Sequence, residues 1–338
     1  MGERESNGRT RKQWESEAPA ELPTLAPQER RPPNQHVALP TNASPSQPTR
    51  RPLNSRPTLP HTMISEISEL ASHILIEQID SGVNTHVSPA WTAAYASIQH
   101  PLQDRPNEDA VGWFAVDESS AVFAVADGCG GMRGGQLAAQ LALKHLGASI
   151  ERFRHTHHGM LAAIVDGIDE ANEAIRSLKI GAACTIAVAE LQRGMIRTYH
   201  VGDSKILVMG NRGRIRYESI CHSPVGFAVE SGWLDEEEAM HHADRHLVSN
   251  VLGCDSMRIE IGPVMALGPR DTVLLATDGL FDNLTNVDVI HGLRKGDLES
   301  GVQGLVGLAR NRMLDDESDA PSKPDDLSMI AVRSNLRS

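Results

Sequence analysis

The sequence is short of the features that would place it in an oxidising compartment, in a membrane or on nucleic acid. Its four cysteines, Cys129, Cys184, Cys221 and Cys254, are scattered over 338 residues without any C-x-x-C spacing. That excludes a cysteine-built zinc site and a disulfide frame, and points to reduced thiols in a cytoplasmic protein. No apolar run approaches the roughly 18 residues a membrane span needs. The N-terminus is charged and lacks an apolar signal core, so neither a membrane span nor secretion is expected. Positive charge is also in deficit. The chain has 32 Lys plus Arg against 44 Asp plus Glu, a formal net charge of -12. Nucleic-acid binding rewards clustered Lys and Arg, so no nucleic-acid partner is expected.

What the sequence does contain is unevenly distributed. Residues 1–61 hold 11 of the 19 prolines, with nine basic and six acidic side chains. The remainder carries 23 basic and 38 acidic residues, so the acidity belongs to the folded part. A segment so rich in Pro, Ser, Thr and Arg cannot bury enough surface to offset its ordering entropy, and 1–61 reads as a disordered tail. Ile64, Ile67, Leu70, Ala71, Ile74, Leu75 and Ile79 recur at helical spacing, which predicts an amphipathic helix over 63–79 within a 62–90 connecting region. The folded domain is expected from about 91 to 338.

Within that domain, short apolar segments at 92–98, 110–116, 121–126, 185–191, 196–201, 206–209, 214–218, 272–277 and 327–332 read as strands. Helical patterns run through 134–154, 160–178, 235–242, 287–293 and 302–313. Asp235 followed by Glu238 is an acidic form of the capping box. The strands come in consecutive pairs and triples, which argues antiparallel sheets with helices packed outside rather than a doubly wound parallel sheet.

Two strands end in the same unusual way. Ala121–Ala126 runs into Asp127-Gly128-Cys129-Gly130-Gly131, and Val273–Thr277 runs into Asp278-Gly279-Leu280-Phe281-Asp282. A strand apolar on both faces carries its terminal carboxylate to the rim of the core, where an unpaired charge is expensive and a metal ion is one of few partners that offset it. A following glycine lets the backbone carbonyl approach the same ion. Taken singly, Asp-Gly is most often a hairpin turn. Here the flanking strands lack the alternation of a hairpin with one wet face. Asn107-Glu108-Asp109, Gly202-Asp203-Ser204 and Asp325-Asp326 lie at comparable strand ends.

Arg105-Pro-Asn-Glu-Asp109, Asp127-Gly-Cys-Gly-Gly131, Val201-Gly-Asp-Ser204, Thr277-Asp-Gly-Leu-Phe-Asp282 and Asp325-Asp-Leu-Ser-Met-Ile330 resemble, in order, the motifs of metal-dependent protein phosphatases, the protein phosphatase 2C family. His222-Ser223 and the segment 230–253 resemble its bacterial branch. The resemblance spans about 91–333. It implies an α+β fold, a four-layer α-β-β-α sandwich, and hydrolysis of phosphoserine and phosphothreonine in phosphorylated protein substrates of a Ser/Thr kinase. It also implies two Mn2+ or Mg2+ ions, bridged by Asp127, with the Gly128 carbonyl, Asp278 and Asp325 completing the shells and Asp109 and Glu108 acting directly or through water. Asp203 and Asp282 match the acidic pair that holds a third, looser ion in many members. Arg105 would hold the substrate phosphate, although it stands four residues before Asp109 where five is usual. Cys129 stands where many members have a histidine.

Oxygen-only ligands favour Mg2+ or Mn2+ over zinc. Paired divalent ions activate a water without a covalent intermediate. No C-x5-R thiol motif is present. A phosphatase-like module that only binds partners is the alternative from another class, and an esterase for small phosphate esters is a weaker third. His155, His157 and His158, and His241, His242 and His246, read as surface or helix-end residues, and Cys129 as a small buried thiol.

Overall fold

The apolar segments form two antiparallel sheets. The structure is a computed structural model, and its described residues are 74–76, 82–129, 134–154, 159–315 and 320–335. One sheet has the order β1 (Ile74–Ile76), β4 (Asp109–Asp117), β5 (Ser120–Asp127), β6 (Ile186–Gln192), β7 (Met195–Val201) and β10 (Glu260–Ile261), with β11 (Met265–Ala266) also pairing with β7. The other runs β2 (Asn84–Val87), β3 (Trp91–Ile98), β13 (Leu327–Ser334), β12 (Thr272–Ala276), β8 (Lys205–Met209) and β9 (Ile215–Glu218).

Three apolar layers hold the sheets and helices together. Between the sheets, Trp91, Trp113, Phe123, Ile206, Leu275 and Ile330 interdigitate. Helices α1 (Gly135–Arg154) and α2 (Met160–Ser177) cover the outside of the first sheet, through Leu143, Leu146, Ile164 and Ile168 against Val122, Ala124 and Val188. Helices α6 (Asn286–Leu293) and α7 (Leu298–Leu314) cover the second, through Leu293, Val302 and Leu305 against Ala94, Leu274 and Met329. The result is the α-β-β-α sandwich expected. It also explains the continuous apolar strands: residues 120–126 of β5 are all buried, because one face meets the opposite sheet and the other meets a helix.

The segment between β9 and β10 carries α3 (Pro224–Glu230) and α4 (Glu236–Met240). The α4 capping box forms as its sequence indicates: Glu238 N donates to Asp235 Oδ1 at 2.8 Å and Asp235 N donates to Glu238 Oε2 at 2.9 Å.

The helix expected over 63–79 requires correction. Its described part, Ile74–Ile76, is a strand, in register with β4 as Ile74 opposite Gly112 and Ile76 opposite Ala110. On that side β4 has no other partner strand among the described residues, and a short run with two β-branched residues suits such an edge. Tertiary pairing thus overrides a local period that fitted a helix. The rest of that segment, and the tail 1–61, lie outside the described residues. Asn84–Val87, expected as linker, pairs with β3.

The topology brings distant chain segments to one end of the sandwich. Ile98 at the end of β3 faces Leu327 at the start of β13, so the loops before Asp109 and through Asp325 leave side by side. Asp109, opening β4, stands opposite Asp127, closing β5. Ala276 at the end of β12 pairs with Lys205 at the start of β8 and with Met329. Asp278 follows the first of these and Asp203 precedes the second.

Candidate metal centre

The acidic residues singled out from the sequence come to this end of the sandwich. Asp109 is buried, and Thr277 Oγ1 donates to its Oδ2 at 2.8 Å. Thr277 Oγ1 also accepts from Ser328 N at 3.0 Å, so one buried hydroxyl ties the β12 end, the β13 start and Asp109 together. Asp109 N donates to Asn107 Oδ1 at 2.9 Å, and Asn107 Nδ2 donates to Ser97 Oγ at 3.0 Å. Asp278 opens the short helix α5 (Asp278–Phe281), whose C-cap is Asp282. One helical turn therefore places both carboxylates near each other.

The Asp203 loop is held from two sides. Gly202 N donates to His222 Nδ1 at 3.1 Å, and Thr185 Oγ1 and Ser204 Oγ lie 2.6 Å apart. Asn250 Nδ2 also reaches His222 Nδ1, at 2.9 Å. That nitrogen is thus an acceptor, and the proton sits on Nε2, which faces Glu260 Oε2 at 3.1 Å.

Two glycines of the motifs are required by space. A Cβ on Gly128 would stand 2.4 Å from the Gly135 carbonyl oxygen and 2.8 Å from that of Glu108. A Cβ on Gly279 would stand 1.9 Å from the Asp326 carbonyl oxygen. At Gly279 the reason differs from the one expected: the missing side chain lets the neighbouring loop that carries Asp325 close onto the helix.

The electrostatics are those of an acidic cluster that its basic neighbours compensate only in part. Asp127 is held well above the usual carboxylate range by burial and then by Asp278, Asp109, Asp203 and Asp325. Asp109 is raised likewise, by burial and then chiefly by Asp326. Burial, followed by Asp278, pushes both Asp203 and Asp325 up to about 7. Burial and Asp278 also raise Asp282, and burial raises Glu108. Carboxylates a few ångströms apart repel by on the order of 4 kcal/mol per close pair at a mid-range dielectric. An all-oxygen set of this kind suits hard divalent cations such as Mg2+ and Mn2+, which reverse that penalty. Asp278 is the strongest charged neighbour of Asp127, so these two strand ends share one end of the sandwich.

Arg105 reaches the edge of this cluster, half-buried, with Nη1 2.6 Å from Asp326 Oδ2 and 3.3 Å from Glu108 Oε2, and Nη2 3.2 Å from Asp325 Oδ1. Asp326 is buried and also accepts from His100 N at 2.7 Å and Glu108 N at 2.9 Å. It locks the β3 and β13 loops together. The Cys129 thiol is pushed up to about 12 by burial and then by Asp203 and Asp278, so it is not a thiolate nucleophile.

Sequence reasoning missed Thr277, Asn107 and Lys323 as site residues. Lys323 Nζ lies 2.5 Å from Asp278 Oδ2, 2.6 Å from Asp282 Oδ2 and 3.8 Å from Asp325 Oδ2. Thr277 and Asn107 lay inside recognised motifs and had a signal. A lone lysine in a loop had none. The other histidines do not join the centre: His241 and His246 are exposed, and His155, His157 and His158 lie outside the described residues. No helix among the described residues is long and apolar enough to cross a membrane.

Comparison with known proteins places the chain in a family. A family model for protein phosphatase 2C matches residues 98–296. The serine/threonine phosphatase stp of Listeria welshimeri is 27% identical over 195 residues, covering 54% of this chain and 75% of that protein. The crystal structure of the serine/threonine phosphatase Stp1 from Staphylococcus aureus superposes with a TM-score of 0.62 at 24% identity, over 78% of this chain and all of that one. The catalytic domain of the serine/threonine protein phosphatase PstP, solved in complex with two manganese ions, gives a TM-score of 0.58 at 20% identity, over 72% of this chain and 98% of that one. The family match covers more than half the chain and runs through every motif from Arg105 to Asp282; the chain belongs to the protein phosphatase 2C family.

Proposed function

We propose that the protein removes phosphate from phosphoserine and phosphothreonine in phosphorylated proteins, with two Mn2+ or Mg2+ ions held by Asp127, the Gly128 carbonyl, Asp278 and Asp325, and by Asp109 and Glu108 directly or through water. The observation that carries this reading is the position of Asp127, whose strongest charged neighbours are four further aspartates drawn from four separate places in the chain. No structural role calls for such a set, since each carboxylate weakens the fold unless a cation joins it. When bound, paired divalent ions supply Lewis acidity that activates water and offsets the charge of a phosphate.

The chain's own residues supply the rest. Thr277 and Asn107 fix the rotation and height of Asp109. Arg105, already turned towards Asp325 and Asp326, would exchange one of these contacts for an oxygen of the substrate phosphate. A cavity of about 300 Å³ opens beside Asp203, Asp278 and Asp282 and continues beneath α3 and α4, where it would receive the protein flank of the substrate. The four free cysteines accord with a reducing, cytoplasmic setting, where the substrates would be products of a Ser/Thr kinase.

The test uses the full chain and a phosphothreonine peptide, with Mn2+ or with EDTA, beside an Asp278→Ala variant. Mn2+-dependent phosphate release that falls by a factor of about 10³ or more in the variant is expected. Silence under Mn2+ and Mg2+ together with retained peptide binding would instead favour a partner-binding module.

A further inference from the structure

Among the described residues, one basic side chain reaches the interior of the cluster formed by Asp109, Asp127, Asp203, Asp278, Asp282 and Asp325. Lys323 Nζ sits between Asp278 Oδ2 and Asp282 Oδ2, with Asp325 Oδ2 beyond, and Asp203 lies within electrostatic reach of the same group. This is not a long side chain folded by chance onto an acidic surface, because its backbone is fastened. Lys323 N donates to Asn283 Oδ1 at 2.8 Å, and Asn283 Nδ2 donates to Lys323 O at 2.9 Å. Asn283 is fully buried, and its Nδ2 also donates to Gly279 O at 2.9 Å. The amide that grips Lys323 is thus anchored to the helical turn that presents Asp278 and Asp282. One residue earlier, Arg245 Nη2 holds the Ser322 carbonyl at 3.1 Å.

We propose that the Lys323 ammonium is a built-in cation that occupies the corner formed by Asp203, Asp278 and Asp282, so that this corner takes no divalent ion and the centre binds two ions rather than three. The inference rests on the metal-centre reading above. Charge supports it. Two divalent cations cancel four of the six carboxylates, and Lys323 cancels part of the remainder from within hydrogen-bond distance of Asp278 Oδ2 and Asp282 Oδ2. A third cation would have to displace a tethered ammonium or sit against it. The two-ion set at Asp127, Asp278 and Asp325 keeps room to bind, because Lys323 stands 3.8 Å from Asp325 Oδ2 and engages Asp278 through Oδ2, so that an ion would take Asp278 by its other oxygen.

The experiment counts ions. Metal-free full-length protein is titrated with Mn2+ by calorimetry, and free Mn2+ is followed by electron paramagnetic resonance. Wild type should bind two ions per chain up to 10 mM metal. Lys323→Met, which keeps length and removes charge, should bind a third at least tenfold more tightly than wild type does. Lys323→Arg should stay at two, and Asp282→Asn in the wild-type background should also keep two. A wild-type count of three, loss of an ion in Asp282→Asn, or a Lys323→Met titration superimposable on wild type would each overturn the proposal. If circular dichroism shows Lys323→Met unfolded, the wild-type and Asp282→Asn counts still decide it. Failure of wild type to bind any Mn2+ would instead overturn the metal centre itself.

Discussion

Replacing Asp203 by asparagine should stabilise the metal-free protein, and the gain should depend on pH. Burial, then Asp278 and Asp282, push the Asp203 carboxyl from 3.8 to about 7, with Lys323 opposing. In the unfolded chain this group loses its proton near pH 4, whereas the folded protein keeps it until about pH 7. Between those values the folded state binds the extra proton, so its stability falls as pH rises through the window. At about 1.4 kcal/mol per pH step the full cost above pH 7 is on the order of 4 kcal/mol. Sharing of charge and proton with Asp278 and Asp282 reduces this to about 2–4 kcal/mol, or a melting shift of about 5–10 °C for a domain of this size. Thermal melts by circular dichroism in EDTA should show Asp203→Asn level with wild type at pH 4.5 and higher by that amount at pH 8. Asp117, Glu218 and Asp288 titrate in the opposite sense in both proteins and cancel in the difference. Saturating Mn2+ should shrink the gap, since the cations neutralise the neighbours that strain Asp203. A variant no more stable than wild type at pH 8 in EDTA, or a gap equally large at pH 4.5, would refute the electrostatic account.

Two further outcomes bear on the same centre. Gly279→Ala would place a Cβ 1.9 Å from the Asp326 carbonyl oxygen and must push the Asp325–Asp326 loop away; a loss of about 2–4 kcal/mol of stability and at least a tenfold fall in Mn2+ affinity is expected, read by chemical denaturation and calorimetry. With its thiol pushed up to about 12, Cys129 should resist iodoacetamide at pH 8, where roughly one molecule in 10⁴ is thiolate, while exposed Cys254 reacts first, as intact-mass spectrometry and peptide mapping would show.

How much of this was legible in the sequence follows from how each feature is encoded. The strands of the sandwich are buried on both faces, so an uninterrupted run such as Ala121–Ala126 identifies itself without any partner. The ends of such strands are equally legible, and Asp127 and Asp278 could be singled out as carboxylates delivered to the core rim. The edge strand Ile74–Ile76 could not. Three residues carry too little pattern to compete with the helical period of their surroundings, and what selects the strand is the free edge of β4, far away in sequence. The same holds for Gly279, whose reason lies in the Asp326 backbone just before β13, distant in sequence.

Lys323 is the limiting case. Its sequence neighbours Ser322 and Pro324 describe a loop, and a lysine in a loop ordinarily trails into solvent. Its placement is decided by Asn283 and Asp278, residues 40 and 45 positions earlier, and only because β12 and β13 are paired neighbours do those residues meet it. An acidic cluster read from motifs alone therefore overstates the charge available to metal ions. The missing term is a single cation delivered by topology, and with it the net charge of the centre, which sets how many ions can bind, becomes a property of the fold rather than of the motif aspartates.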